Sequence, residues 1–124
     1  MLFARLLLIV QTLFLAAYGL ACLLRPHEMA NLSGLLPMGA AAATDLRAWY
    51  GGLTLGLALY LLLALPAGQL RPALLLMLLV NLMPALARLL GLALDGGAEQ
   101  TFNLYILLGE VVAAGLAWLA LRRV

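Results

Sequence analysis

Apolar positions run through this chain in four long stretches, Leu2 to Leu24, Asp45 to Leu65, Pro72 to Leu94 and Thr101 to Leu121. A helix needs about 20 largely apolar residues to cross a hydrocarbon core of about 30 Å, so the pattern predicts four transmembrane helices. The breaks read Arg25-Pro26-His27, Pro66-Ala67-Gly68-Gln69-Leu70-Arg71-Pro72 and Asp95-Gly96-Gly97-Ala98-Glu99-Gln100. All three are rich in residues that stop helices or form turns. Thr44 or Asp45 is the expected N-cap of the second helix, and Pro72 suits the first turn of the third. Residues 25–44 make the one long connection. Its middle, Met29 to Met38, is apolar for a loop and predicts a short interfacial helix or re-entrant lip.

Composition places this pattern in a class. Apolar residues make up 67% of the 124 and charged residues 10%, and the mean hydropathy is +1.14. Soluble domains hold an apolar share of about 45–50%. The expected fold is an all-α membrane protein, a single four-helix antiparallel bundle over residues 1–124. Seven basic residues, all Arg, against five acids give a net charge of +2, too little and too dispersed for a nucleic-acid binder. Cys22 has no partner for an intramolecular disulfide, and with His27 it cannot supply the three or four ligands of a zinc site. Neither a metal nor a cofactor is expected. Arg5 followed by an apolar run resembles a secretory signal, with Gly19-Leu20-Ala21-Cys22 near its end. Gly19 stands where a lipoprotein cleavage site wants a large aliphatic residue, so the segment reads as a transmembrane helix.

Charge then orients the helices. Arg5, Arg71, Arg122 and Arg123 fall on one side with no acid among them, while Arg25, Glu28, Asp45, Arg47, Asp95 and Glu99 fall on the other. By the positive-inside rule both termini and the 66–71 turn are expected in the cytoplasm, with the loops 25–44 and 95–100 outside. A bacterial inner membrane is the expected location.

Each span carries one polar stripe. Gln11, Tyr18 and Arg25 are spaced by seven, as are Asn81, Arg88 and Asp95, and Asn103 with Glu110; Arg47, Tyr50 or Gly51, and Thr54 follow at helical intervals. Residues seven apart share a helix face, and in lipid such faces turn inward. At about 1.5 Å of rise per residue, Arg88 and Tyr18 lie ~10 Å, and Thr54 and Glu110 ~14 Å, below the outer charged ends. The expectation is an outer-leaflet pocket lined by Arg47, Tyr50, Thr54, Arg88, Glu110 and Tyr18. Gln11, Asn81, Asp95, Gly51, Gly52 and Asn103 would support it, with Gln11 and Asn81 deep enough (~21 Å) to bond each other. Glu110 is the most telling residue. An ionised side chain at a bilayer centre costs about 2.5–3.5 kcal/mol even on lenient scales, so it needs a partner, and Arg88 on the preceding span is the obvious one.

Small residues suggest where backbones approach. Ala48, Gly52 and Gly56 form one small-xxx-small row, and Gly109, Ala113 and Ala117 another, both expected to pack tightly. Pro84, one turn before Arg88, can kink its helix and free a carbonyl. Trp49 and Trp118, near opposite helix ends, read as interfacial anchors.

Three pieces, Arg47-Ala48-Trp49-Tyr50-Gly51-Gly52, Arg88-Leu89-Leu90-Gly91-Leu92-Ala93-Leu94-Asp95-Gly96 and Gly109-Glu110, resemble a family of small bacterial four-helix membrane proteins whose function is unknown. More loosely, the chain is similar to the DoxX-like inner-membrane proteins associated with redox and quinone-linked systems. The resemblance spans about 70 residues from the second helix to the fourth. It implies importance for Arg47, Tyr50, Gly51, Gly52, Arg88, Asp95, Gly96 and Glu110, and no mechanism.

The leading expectation for function is a non-enzymatic, accessory membrane protein whose pocket holds an amphiphile such as a lipid, isoprenoid or quinone. Arg47 and Arg88 would meet its head. An isomerase using Glu110 as acid and base is the enzymatic alternative, but with Arg88 in reach that carboxylate is a poor proton donor. A small proton-coupled exporter is a third; such transporters use a Glu in the first helix, where this chain has Gln11. A structural subunit of a homo-oligomer or larger membrane complex is the fourth.

Overall fold

The computed structural model describes residues 1–96 and 100–124. Glu99, counted above among the outer acids, lies outside the described residues. Helix α1 spans Leu2–Leu24, and α2, Pro26–Leu32, follows after one non-helical residue. Next come α3, Ala40–Leu46, a π-helical turn at Arg47–Gly52 (the π segment) and α4, Leu53–Ala64. These three run on as one rod, Ala40–Ala64. Helices α5, Leu70–Asp95, and α6, Thr101–Arg123, complete the chain, and no strand occurs among the described residues.

Four of these rods are long and apolar enough to cross a membrane: α1, the Ala40–Ala64 rod, α5 and α6, of 23, 25, 26 and 23 residues. Even the shortest rises about 34 Å, more than the hydrocarbon core requires. The protein is an all-α, multi-pass membrane protein. Its helix ends explain themselves locally. Pro26 sits in the first turn of α2 and Arg25 outside it at ψ 66°, since the missing N–H of proline costs nothing there. Gly96 ends α5 at φ +81°, a conformation open to glycine and strained for other residues.

Two boundary expectations are corrected. The second span begins at Ala40 with Gly39 at its N-cap, five residues before Asp45; Thr44 and Asp45 lie inside α3, where an alanine run of high helix propensity extends the helix toward its N-terminus. The apolar middle of the long connection is only partly helical. Helix α2 starts earlier, at Pro26, and closes at Leu32 on a turn in which Leu35 N–H donates to Ala30 O and Gly34 takes φ +85°. Pro72 does fall in the first turn of α5.

The chain divides into two compact units, Met1–Leu8 with Gly68–Val124, and Ile9–Ala67. In the first, α5 and α6 form an antiparallel hairpin, with Arg71 reaching Leu121 and Val124 at one end and Arg88 reaching Asn103 and Glu110 toward the other. Buried positions on α5 are Ala73, Leu74, Met77, Asn81 and Ala85, and on α6 Ala114, Ala117 and Ala120. Each set keeps helical intervals and so forms one stripe. The alanines of α6 let the neighbouring backbone come close, which is how helices pack in lipid without a hydrophobic drive between them.

In the second unit the close approach is made by glycine on both sides. A Cβ on Gly19 of α1 would stand 3.0 Å from Gly51 O and 2.9 Å from Leu55 Cγ, and one on Gly51 would stand 3.1 Å from Leu23 N and 3.2 Å from Gly19 O. The rows expected to pack do so only in part. Gly56 and Gly109 have open space where a Cβ would go, and Ala48 and Gly52 are exposed. Ala117 alone of those six residues is buried, with Ala113 half-buried. The packing face of the second span is Gly51, Ala58, Leu61 and Ala64, because a row counted in fours through a π turn loses its face.

Candidate functional site in the α5–α6 hairpin

The buried stripe of α5 ends at Ala85, and its next helical step is Arg88; the alanine stripe of α6 continues one turn back to Glu110. Both ionisable groups therefore stand in the seam between the two helices. Arg88 Nε donates to Glu110 Oε1 at 2.7 Å, and Arg88 Nη1 donates to Asn103 Oδ1, also at 2.7 Å. Asn103 Nδ2 donates in turn to Gln100 Oε1 at 2.8 Å, and Gln100 Nε2 to Gly96 O at 2.7 Å. A single chain of hydrogen bonds runs from a carboxylate within the span to the carbonyl that ends α5. Charge-assisted bonds of this length are among the stronger ones available to a protein.

The ion pair is one-toothed. It uses Arg88 Nε and one carboxylate oxygen, and the side chains keep 30% and 15% of their exposure. A guanidinium can present two parallel N–H groups to a carboxylate; here Nε alone reaches Glu110, and Nη1 donates to Asn103. Geometry follows from spacing: Asn103 and Glu110 are seven apart on one face of α6 and so flank Arg88 from both sides.

The predicted site residues fall into two sets. Arg88, Glu110 and Asn103 come together in the hairpin unit, where Asn103, expected only in support, is a direct partner of the guanidinium. Asn81 is buried on the same face of α5, and its Nδ2 donates to Met77 O at 2.8 Å. Asp95 is the last residue of α5 and exposed. Tyr18, Arg47, Tyr50, Thr54, Gly51, Gly52 and Gln11 belong to the other unit. Gln11 and Gly51 are buried there, Thr54 is half-buried, and Tyr18, Arg47, Tyr50 and Gly52 are exposed.

Two features went unread in the sequence. Gln100 looked like a turn former, yet it sits three residues before Asn103 at the start of α6, and that interval puts the two amides in reach of each other. The π segment is the second. It coincides with Arg47-Ala48-Trp49-Tyr50-Gly51-Gly52, the piece that carried the family resemblance, and π turns inside α-helices recur at functional sites.

Residues 3–121 match the model of a family described as a domain of unknown function (DUF4345). A search of curated proteins and a search of solved structures each found no match.

Proposed function

The chain belongs to the DUF4345 family, and we propose that this member is an accessory membrane protein that holds the polar head of an amphiphile against Arg88 and Glu110. The observation that supports it is the incomplete pairing of Arg88. Its bonds to Glu110 and Asn103 engage Nε and Nη1, and 30% of the side chain is open. A guanidinium arranged so can add a bond through Nη2 to a carbonyl, hydroxyl or phosphate oxygen without giving up its counter-ion. Its charge is already balanced by Glu110, so a neutral head such as a quinone or isoprenoid alcohol is received without leaving the site charged. The looser DoxX-like resemblance makes a quinone the first compound to test. Charge distribution supports an inner-membrane setting with both termini in the cytoplasm.

Protein purified in mild detergent and analysed by native mass spectrometry with lipid extraction tests this reading. The expected result is a bound amphiphile that survives in the wild type and is lost in Arg88→Ala. Wild-type protein that neither carries an amphiphile nor takes up added quinone would reduce the pair to a clasp between α5 and α6.

A further inference from the structure

We propose that the arginine end of the α5–α6 hairpin is a binding site for an anionic phospholipid, seated with its acyl chain in the groove of Arg71, Pro72, Leu75 and Leu121 and its phosphate on Arg71. The groove is open along one side and offers about 340 Å³, at the lower end of the usual range for ligand cavities, about 300–1,000 Å³. Three of its four walls are apolar and the fourth is a guanidinium. That is the chemistry of a lipid at the boundary between tail and head.

Three independent features favour negative charge at this spot. Among the described residues Arg71 donates only through Nη1, at 2.9 Å to Val124 O and more weakly, at 3.4 Å, to Leu121 O. Those bonds fix the guanidinium over the end of α6 and leave Nε and Nη2 for an outside acceptor. Helix α5 begins here, and no side chain caps its N-terminus; first-turn amides and the positive end of the helix dipole attract anions. Arg122 and Arg123 follow the groove residue Leu121 directly in the chain, Arg122 held over the Trp118 ring at 4.9 Å and Arg123 over Phe3 at 6.0 Å. Along α6 the nearest acidic side chain is Glu110, eleven residues before Leu121, or about 16 Å away. Clustered arginines beside a helix-lined cavity at the membrane surface recognise anionic lipid heads.

Trp118 reports on this site. The chain has two tryptophans, so Trp49→Phe leaves Trp118 alone one turn from the groove. Full-length Trp49→Phe protein is reconstituted in phosphatidylcholine vesicles that contain a small fraction of either brominated phosphatidylglycerol or brominated phosphatidylcholine. Bromine quenches indole fluorescence on contact. The expected result is several-fold stronger quenching by the anionic lipid, a difference reduced by Arg122→Gln and abolished by Arg71→Gln. Circular dichroism of each variant shows whether its helices persist, and Arg122→Gln, which loses no hydrogen bond, keeps the test informative if Arg71→Gln unfolds. Equal quenching by both lipids overturns the proposal. So does a preference that survives both substitutions, or one removed by millimolar inorganic phosphate, which would mark a site for free anions.

Discussion

Gly19 and Gly51 touch backbone to backbone, each standing where a methyl group on the other would come within about 3.2 Å of a carbonyl oxygen. No flexible side chain can move aside there, since the atoms met by Gly51 are Leu23 N, Gly19 O and Leu23 Cα. Gly51→Ala is expected to cost about 1–3 kcal/mol, the usual penalty for overfilling a packed interior. Denaturant titration in detergent, followed by circular dichroism, measures it. A variant as stable as the wild type would show that α1 and the π segment are not held this closely.

The opposite outcome is expected at Gly56 and Gly109. Neither has an atom within 4 Å of the Cβ it would acquire. Alanine at either position is expected to be neutral or to stabilise by about 0.5–1 kcal/mol, the helix preference of Ala over Gly. Loss of stability in the same titration would mean that these faces are covered by a partner in the membrane.

Arg88→Ala leaves Glu110 without its counter-charge. Breaking a buried pair costs about 3–5 kcal/mol, and the 30% exposure of Arg88 sets the expectation at the lower bound, about 3 kcal/mol. Glu110→Gln is expected to be milder, since the amide oxygen can still accept from Nε. The double variant should be more stable than the sum of the two losses implies, with a coupling of about 1–3 kcal/mol. Additive effects would disprove the pairing.

Asn103→Leu removes one bond to the guanidinium and the link to Gln100. The expected loss is about 1.5 kcal/mol, the lower value for a hydrogen bond to a charged group. Because Asn103 stands one turn closer to the end of α6 than Ile106 and Leu107, exchange of the amides around Gln100 to Leu104 should quicken first. Hydrogen exchange confined to the middle of α6 instead would contradict the network.

The spans were legible because lipid imposes a simple rule: some twenty apolar residues bounded by turn formers. The pair of Arg88 and Glu110 was legible for a related reason, since an ionised group in hydrocarbon must meet its opposite, and the seven-residue interval from Asn103 to Glu110 fixed the face. Start points were less so. Residues 40–44 are alanines and a threonine, compatible with loop or helix until the helix that follows recruits them. The small-residue rows misled because Ala48, Gly52 and Gly56 were counted at four residues per step through Arg47–Gly52, where four residues do not complete a turn. Nothing in apolar periodicity announces such a turn, which depends on backbone hydrogen bonds rather than on side-chain type.

That wide turn has an evolutionary and an experimental corollary. It lodges a surplus residue in an otherwise regular rod, so deleting one position between Ala48 and Gly52 should restore ordinary winding with the two halves nearly in phase, whereas a deletion inside α4 would swing one half by about 100°. What the deletion would take away is the local widening at which Gly51 presents its bare backbone to α1. Among related chains a one-residue deletion should accordingly be better tolerated at this place than inside α4.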